Sequence, residues 1–436
     1  MINVKDFGAV GDKVTDDSAA INTAIDTVSA AGGGTIYFPV GRYVVGSTVI
    51  LKSNVILEGD GIGRTVIHGR AGTSHNLLET EGFASLTGTN SPSGPLCFGL
   101  RNLTINGNRW NRTGSGLCLN IYGYDYELTN VEIYDSRGIG FYSEWAIHAG
   151  VPVTPYGKDT MEAHITGLRV FRSASDGMIF NGPHDTIMRD VLTFINAGRG
   201  AVFGEADGLY TAGGVMVDQL HSYGNTGWGV VTSTLIFAGI IESESNAGGG
   251  IQINAWGGRF QGGTLLAWGN TGAGVEFNAP SSSTSVIAND NSGDGVHLYS
   301  SNNQLSINSY SNGGNGISYG GSSGNNTVSP CRTVANTGKG IYLQGNDNRV
   351  LGLCGMSNQQ GGVVVNGSIG GLRLDGELSV NTGTQISFGT LGVPCIIDLL
   401  MYTSTGQTAW SGNPGNNHVR IATSGASNMP LSRSQT

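Results

Sequence analysis

Acidic residues, a tyrosine and an arginine lie close to one another in the part of the chain between residues 142 and 207. The candidates for acid–base chemistry are Tyr142, Glu144, Asp176, Arg199, Glu205 and Asp207. Two carboxylates that lie about 5 Å or about 6.5–9.5 Å apart can hydrolyse a glycosidic bond. A tyrosine base, beside an arginine that neutralises a substrate carboxylate, favours β-elimination from a uronate instead. Both reactions stay open, as does the interpretation that each side chain is only a solvated polar group.

A second set of residues carries the amide, carboxylate and aromatic groups that bind sugars. The set is Asn181, Trp145, Trp228, Tyr223, Glu242, Glu244 and Trp268. Two of these residues belong to an aromatic column that follows the repeat: Tyr134, Phe171, Phe194, Tyr223, Trp268 and Tyr310. Exposed rings on one face stack on sugars or pack between subunits. The column therefore indicates a subunit interface or a sugar platform, and the interpretation that it is neither stays open.

The phrase that positions these residues is a small polar residue, a glycine-rich joint and an apolar-x-apolar strand. Its last glycine recurs at intervals of 21 to 24 residues from Gly229 to Gly362. A period of this length with alternating apolar residues indicates strands that stack as the coils of a solenoid. Each coil then rises by one inter-strand distance, roughly 4.8 Å. The sequence therefore predicts a parallel β-helix, with glycine and asparagine at joints that need a positive φ.

The period lengthens in the region of the candidate residues. The interval from Gly140 to Gly177 is 37 residues, and that from Gly200 to Gly229 is 29. Such intervals predict loops inserted into otherwise regular coils. Within each strand, the residue after the last glycine should point inward and the next one outward. Outward residues on adjacent coils would lie roughly 5 Å apart, so the candidates would meet in a groove walled by the inserted loops.

The composition limits the class of protein. The chain has 73 Gly, 11 Pro and only 12% charged residues, which favours a β-solenoid over a helical protein. The net charge of -9 argues against nucleic acid and anionic membranes as partners. The five scattered cysteines predict buried free thiols, and the histidines form no zinc pattern. We expect no cofactor, and the loop that begins at Asp290 lacks the closing glutamate of a Ca²⁺ site.

One amphipathic helix is predicted near the N-terminus. It begins at Thr15-Asp-Asp-Ser18, and its apolar face is Ala20, Ile21, Ala24, Ile25 and Val28. A helix there would cover the open edge of the first coil. We therefore divide the chain into an N-terminal cap over residues 1–35, a β-helix over 36–390 and a C-terminal cap or trimerisation segment over 391–436. No secretory signal and no run of about 20 apolar residues is visible, so no membrane insertion is expected.

The opening segments carry a family resemblance. They read Asn3-Val-Lys-Asp-Phe-Gly-Ala-Val-Gly-Asp12, Thr15-Asp-Asp-Ser18 and Gly32-Gly-Gly-Thr-Ile-Tyr-Phe-Pro39. This opening resembles the pectate-lyase-like superfamily, which includes phage tailspike depolymerases, some glycoside hydrolases and mannuronan C5-epimerases. The resemblance covers roughly residues 1–390. It implies an all-β fold, a right-handed single-stranded parallel β-helix with an N-terminal capping α-helix.

The resemblance also indicates where a site would lie. The segment Leu100–Arg109 is similar to one coil of the epimerases, which then carry Tyr-Gly-Phe-Asp-Pro-His. The matching stretch here is Ile139-Gly-Phe-Tyr-Ser-Glu144, so the tyrosine, aspartate and histidine become Ile139, Tyr142 and Glu144. The aspartate of the next coil is retained as Asp176. The resemblance implies a working site at this shared location.

The resemblance implies a polysaccharide-degrading enzyme of the phage tailspike type. Such a protein hydrolyses or eliminates a bacterial surface glycan, such as capsule, exopolysaccharide or O-antigen. The resemblance further implies a homotrimer on the phage tail, with a bacterial polysaccharide as its partner. Two alternatives stay open: a bacterial lyase or epimerase that acts on alginate or pectin, and a glycan-binding adhesin without catalysis. For either alternative we expect a secreted or extracellular protein.

Overall fold

The structure is a computed structural model that describes residues 1–86, 94–145, 162–204, 214–254, 257–392, 394–403, 408–413 and 417–424. The chain divides into two compact units, Met1–Ile241 (unit 1) and Glu242–Thr436 (unit 2). Both units consist of short strands that pair in parallel with the equivalent strands of the next coil. The fold class is therefore the predicted parallel β-helix.

Helices are few in the described residues. A 3-10 turn covers Val4–Phe7, and the α-helices are α1 (Ser18–Ala30) and α2 (Phe83–Leu86). The first strands are β1 (Ile2–Asn3), β2 (Asp12–Asp16), β3 (Gly34–Phe38), β4 (Gly41–Val45), β5 (Val49–Leu51), β6 (Val55–Gly59), β7 (Thr65–Gly69), β8 (Leu78–Thr80), β9 (Gly99–Asn106), β10 (Leu119–Tyr122), β11 (Tyr126–Tyr134), β12 (Phe141–Glu144), β13 (Ala163–Phe171), β14 (Met178–Asn181), β15 (Ile187–Phe194), β16 (Ala201–Phe203), β17 (Val215–Tyr223) and β18 (Trp228–Thr232). The remaining strands are β19 (Leu235–Glu244), β20 (Gly249–Ile253), β21 (Arg259–Trp268), β22 (Val275–Phe277), β23 (Ser283–Asn289), β24 (Val296–Leu298), β25 (Gln304–Tyr310), β26 (Ile317–Tyr319), β27 (Thr327–Val334), β28 (Ile341–Leu343), β29 (Arg349–Met356), β30 (Val363–Ile369), β31 (Arg373–Ser379), β32 (Thr384–Leu391), β33 (Ile396–Tyr402), β34 (Thr408–Asn413) and β35 (His418–Ser424).

Each coil contributes one strand to each of two sheets. In unit 1 we call the sheet with β9, β11, β13, β15 and β17 sheet A, and the sheet with β8, β10, β12, β14, β16 and β18 sheet B. In unit 2 the odd-numbered strands from β21 and the even-numbered strands from β20 form the corresponding sheets. The glycine-rich joint leads from a sheet A strand into the sheet B strand of the same coil. Parallel pairing reaches β35, whereas the proposed boundary at residue 391 stays a prediction.

Side chains alternate across the sheet B strands as predicted. In β22, Val275 and Phe277 are buried in the core, while Glu276 between them points outward. In β12 the buried Phe141 precedes the outward Tyr142 in the same way. The alternation follows from the two-residue period of a strand. It fixes which residues of each coil are available to a ligand.

The asparagine that opens each phrase does not take the predicted positive φ. In unit 2 a positive φ falls on the residue before it, for example Asp290 and Ser311. The asparagine side chain is buried, and its Nδ2 donates to the Oδ1 of the asparagine one coil further on, at 2.9–3.0 Å. The ladder runs through Asn246, Asn270, Asn291, Asn312, Asn336, Asn358 and Asn381. A buried amide needs a partner, and the repeat supplies one from the next coil.

The last glycine of the phrase is needed because the coils approach closely. A Cβ on Gly274 would lie 2.6 Å from the carbonyl oxygen of Gly295, and one on Gly316 would lie 2.6 Å from that of Gly340. Neither glycine has a positive φ. The spacing between coils, and not the backbone angle, therefore excludes a side chain at this position.

Helix α1 confirms the predicted N-terminal helix, although it begins at Ser18. Asp17 precedes it and accepts the backbone N–H groups of Val10 at 2.6 Å and Gly11 at 3.2 Å. The predicted apolar face is buried except for Ala20, which is half-buried. The helix packs against β3, β5 and β6, which belong to the first coils. Of the described residues, no helix is long and apolar enough to cross a membrane.

The five cysteines are free, as predicted, but they are not all buried. Cys118, Cys331 and Cys395 are buried and Cys354 is half-buried. Cys97 is exposed, and its Sγ lies 2.9 Å from a carboxylate oxygen of Asp125. The prediction of buried thiols is therefore wrong for Cys97, because its position lies outside the alternating strand pattern.

Candidate active site

The outward residues of β12 and β14 lie side by side on sheet B of unit 1. Tyr142 is in register with Ile179, and Glu144 is in register with Asn181 on the next coil. Glu144 and Asn181 are 4% and 5% exposed, so both polar side chains are largely removed from water. Three of the residues predicted from the sequence therefore meet in one place.

Hydrogen bonds join these three side chains. The Tyr142 hydroxyl donates to Oε2 of Glu144 in a short contact, and Asn181 Nδ2 donates to the Tyr142 hydroxyl oxygen at 3.4 Å. A carboxylate that accepts a phenol proton can take that proton during a reaction. The arrangement therefore provides a tyrosine with a built-in proton acceptor.

Asp176 and Arg199 form an ion pair at the joint of the next two coils. Arg199 donates from Nη2 at 2.6 Å and from Nε at 3.2 Å to Oδ2 of Asp176. Its backbone N–H donates to Oδ1 at 2.6 Å. Both oxygens of Asp176 are thus occupied by one residue. Asp176 positions the Arg199 guanidinium, and this arrangement does not favour the predicted role of Asp176 as a second acid or base.

The outer face of sheet B becomes apolar beyond Tyr142. Ile179, Val202 and Val231 are no more than 2% exposed, although all three point outward. Ile139, Tyr142 and Trp228 pack against them. The continuous polar groove that the sequence predicted is therefore interrupted by an apolar cluster. Trp228, a predicted sugar-binding residue, belongs to that cluster.

A small apolar cover lies on the other side of Tyr142. The ring of Phe83 in α2 meets the Tyr142 ring edge-on at 6.0 Å. Phe83 and Leu86 also pack against Tyr122 and Trp145, and Trp145 is 4% exposed. The predicted sugar-binding residue Trp145 is thus beside the site but enclosed.

One residue of this site was missed by the sequence reasoning. Asn120 is in register with Tyr142 on the preceding coil, is fully buried and has no hydrogen-bond partner for either side-chain atom. The available signal was its position in the strand Leu119-Asn-Ile-Tyr122. Asn120 and Tyr122 are two residues apart there, as Tyr142 and Glu144 are on the next coil. The irregular spacing before Gly140 concealed that coil.

The other predicted residues do not join this cluster. Tyr223 lies on sheet A, where its ring stacks on Phe194 at 4.8 Å. Glu242 and Trp268 are in unit 2, where Trp268 Nε1 donates to Glu242 at 3.1 Å. Glu244 follows Glu242 on the same outward face of β19. Glu205 and Asp207 lie outside the described residues, so their roles stay predictions.

The aromatic column of unit 1 is a continuous stack. The rings of Tyr134, Phe171, Phe194 and Tyr223 lie 5.2, 4.5 and 4.8 Å apart and within 15° of parallel. The Arg172 guanidinium lies over the rings of Tyr134 and Phe171. Faces that stack on each other are not available to a sugar ring. The geometry favours a structural role over the predicted sugar platform for these rings.

Unit 2 contains a separate charged cluster on sheet B. His297 Nε2 lies 2.6 Å from Oδ2 of Asp294, and its Nδ1 lies 4.0 Å from Glu276. Burial lowers the pKa of His297, but the hydrogen bond to Asp294 and the nearby Glu276 carboxylate outweigh burial and raise it to about 9. Burial raises the pKa values of Asp294 and Glu276. Hydrogen bonds, of which the one with His297 has the largest effect, outweigh burial and hold both pKa values below their usual range. The cluster is therefore an internally satisfied ion network.

Comparison with known proteins identifies the family. Residues 1–227 match the family described as rhamnogalacturonase A/epimerase, pectate lyase-like. The chain belongs to this family, whose matched segment contains Tyr142, Glu144, Asp176 and Asn181. The protein is thus a pectate-lyase-like β-helix of a polysaccharide-acting family.

Two curated relatives from Azotobacter vinelandii are similar over part of the chain. Mannuronan C5-epimerase AlgE4 is 40% identical over 154 residues, which is 32% of this chain and 27% of AlgE4. Alginate lyase 7 is 39% identical over 154 residues, 32% of this chain and 17% of that enzyme. The solved AlgE4 A-module has a TM-score of 0.53 and 19% identity, and the match covers 98% of this chain and 100% of that one. This structural likeness shows the fold.

Proposed function

We propose that this protein is a tailspike-type depolymerase that cleaves an acidic bacterial surface glycan by β-elimination. The observation that carries the proposal is the hydrogen bond from Tyr142 to Glu144, inside the segment that matches the family. A tyrosine that can pass its proton to a carboxylate becomes a base for the acidic C–H beside a uronate carboxylate.

The proposed reaction has a defined role for each residue. Glu144 takes the phenol proton of Tyr142, and the phenolate oxygen then removes the proton from C5 of the uronate. The electron pair forms the C4=C5 double bond, the C4–O bond breaks, and the leaving oxygen takes up the proton that Glu144 received, which returns both residues to their starting protonation. The Asn181 amide donates to the charge that develops on the uronate carboxylate. Arg199, held by Asp176, binds an acidic group of a neighbouring sugar.

Elimination is favoured over hydrolysis by the contacts of Asp176. Hydrolysis needs two carboxylates that act as acid and as base or nucleophile. Glu144 is engaged with a tyrosine, and Asp176 is bound through both oxygens to Arg199. Among the described residues of the site, the pair available to a substrate is therefore a tyrosine and a carboxylate.

The test is incubation with capsular and lipopolysaccharide glycans that contain uronic acids. Elimination produces the ultraviolet absorbance of an unsaturated uronate together with new reducing ends. New reducing ends without that absorbance would indicate hydrolysis. Tight binding without any cleavage would favour the adhesin and contradict the enzyme proposal.

A second candidate is a uronan lyase or epimerase that acts on alginate. The observation that favours it is the 38–40% identity to mannuronan C5-epimerases and alginate lyase 7. Epimerisation shares the proton removal at C5 but returns a proton to the opposite face without breaking the chain. Alginate that exchanges its C5 proton for deuterium in heavy water, with no new ends, would support the epimerase.

The tailspike assignment includes a homotrimer at the phage tail. It rests on the resemblance of the opening segments to tailspike depolymerases. Light scattering after size exclusion should give about three times the chain mass of 45.1 kDa. A monomer at micromolar concentration would contradict the trimer and leave the reaction itself to the glycan assays.

A further inference from the structure

Asn120 carries an unusual energetic cost in the described part of the chain. Its side chain is 0% exposed, and neither Oδ1 nor Nδ2 has a hydrogen-bond partner. A buried amide without partners loses its hydration and gains nothing in return, so evolution of a stable core would replace it with an apolar residue. An amide kept in this position points to a partner that arrives from outside.

The surroundings of Asn120 show where that partner would sit. On sheet B it lies between Glu79 of β8 and Tyr142 of β12, in register with both. Helix α2 packs against β10, the strand that carries Asn120. Phe83 of that helix meets the Tyr142 ring, and Phe83 and Leu86 pack against the cluster of Tyr122, Tyr124 and Trp145. Two apolar side chains of a one-turn helix therefore lie near the strand that carries the unpaired amide.

A second unpaired donor lies under the same cover. Trp145 is 4% exposed, and its Nε1 has no hydrogen-bond partner. Its ring lies 4.8 Å from that of Tyr124 and packs with Tyr122 against Phe83 and Leu86. Next to α2, the Asn120 amide and the Trp145 indole thus present two donor groups, one acceptor and an aromatic face, which match the hydroxyls and the apolar face of a pyranose ring.

We propose that Asn120 and Trp145 form a sugar-binding subsite next to Tyr142, and that α2 covers this subsite in the free protein. The proposal rests on the proposed function, because it places one sugar of the substrate beside the residue that removes the proton. The sugar displaces Phe83 and Leu86, and its hydroxyls then pair with the Asn120 amide and the Trp145 indole N–H. A helix of four residues is a single turn, and a cover of that size is inexpensive to displace.

The two sides of the subsite give opposite expectations. Asn120→Leu replaces the amide oxygen and nitrogen by two methyl groups on the same branched skeleton, so thermal stability should rise or stay the same, whereas KM for the cleaved glycan should rise roughly 10- to 100-fold. The kcat value should change less, because Asn120 does not take part in proton transfer. Phe83→Ala weakens the cover, so KM should fall several-fold, since less of the binding free energy is used to open it.

The matched control is Asn308→Leu. Asn308 also has a buried, unpaired Oδ1 but lies on β25 in sheet A of unit 2. It should leave KM unchanged. Equal KM values for wild type, Asn120→Leu and Phe83→Ala, with an active wild type, would overturn the subsite. An increase in KM for Phe83→Ala would overturn the cover.

The subsite can also be tested apart from catalysis. Calorimetric titration of oligosaccharides into Tyr142→Phe measures binding without turnover, and the addition of Asn120→Leu should weaken it by a similar factor. If the wild type cleaves no glycan, the proposed reaction fails. In that case the titration alone tests the subsite. Binding that Asn120→Leu does not weaken would overturn it, and so would undetectable binding to every uronate glycan.

Discussion

Asp176 in unit 1 and Asp294 in unit 2 occupy the same position of the repeated phrase, one residue before its last glycine. Each accepts the backbone N–H of the residue at the same position one coil later, Arg199 at 2.6 Å and Asn315 at 2.5 Å. The phrase therefore favours aspartate here for a structural reason. An aspartate at the joint is not by itself evidence of a catalytic site.

The two regions differ in what the neighbouring side chains do. Beside Asp176 the partner is Arg199, and the outward strand carries Tyr142 hydrogen-bonded to Glu144. Beside Asp294 the partner is His297, which also approaches Glu276. In unit 2 the charges satisfy each other. In unit 1 an amide and an indole N–H near the tyrosine and the carboxylate lack partners, so acid–base groups there lie beside unused binding capacity.

The largest expected effect distinguishes one outward tyrosine in each unit, Tyr142 and Tyr299. Tyr142→Phe should lower kcat by about 10³-fold, because the base is lost while the ring remains. Tyr299→Phe, beside His297 in unit 2, should leave kcat within about twofold, because that ring is outside the proposed site. The measurement is the rate of unsaturated uronate formation at saturating glycan. A loss of less than tenfold for Tyr142→Phe would contradict its role as base.

Substitution of the two aspartates at the glycine-rich joints, Asp176 and Asp294, should have different effects on KM. Asp176→Asn keeps an oxygen for the backbone N–H of Arg199 but loses the charge that holds the guanidinium. KM should rise about tenfold, since an acidic sugar then meets a mobile arginine. Asp294→Asn should leave KM unchanged. Equal effects of the two substitutions would show that both aspartates serve only the joint.

The stability of unit 2 should depend on pH through His297. Its pKa is raised to about 9 in the folded protein, against an ordinary value of 6.5. The stabilisation is therefore fully present below pH 6.5 and is lost as the pH rises through about 9, which corresponds to about 3 kcal/mol of unfolding free energy. Denaturant unfolding at pH 6 and pH 10 measures this loss. His297→Gln should remove most of the difference, and an unchanged pH dependence would contradict the assignment.

The scaffold should respond alike in both units. Gly177→Ala and Gly316→Ala each place a Cβ 2.6 Å from a carbonyl oxygen of the next coil, so each should cost about 1–3 kcal/mol of stability. Gly321→Ala is the control, because no atom lies within 4 Å of its Cβ. Unfolding midpoints compare the three. A neutral Gly177→Ala would show that the coils of unit 1 can separate.

The repeat made much of the fold predictable. The spacing of the last glycine gave the coils, and the two-residue alternation correctly placed Tyr142, Glu144 and Asn181 on one outer face. These features are local, because each coil interacts with the next through the same few positions. The prediction of a positive φ for the asparagine that opens each phrase was wrong because this residue depends on a contact that is distant in sequence. Its conformation is set by a partner about 21–24 residues away and not by its own turn.

The sequence predicted the location of the candidate site but not the hydrogen bonds and contacts among its side chains. The sequence could not show that Asp176 is occupied by Arg199, nor that Trp228 packs on an apolar cluster. Those contacts depend on side-chain directions at the joints, where alternation no longer applies. Asn120 was missed because its coil lies before the regular repeat, and its significance comes from the absence of a partner.

By itself the sequence determined the period, the inward and outward faces, the N-terminal helix and the family, because all of these follow from local patterns and short motifs. Only the tertiary structure decided which of the polar residues act together. The ion pair of Asp176 and the cover over Asn120 depend on distances between coils, and the hydrogen bond from Tyr142 to Glu144 depends on the side-chain directions within β12. A linear pattern fixes the order of those residues, whereas stacking fixes their separations.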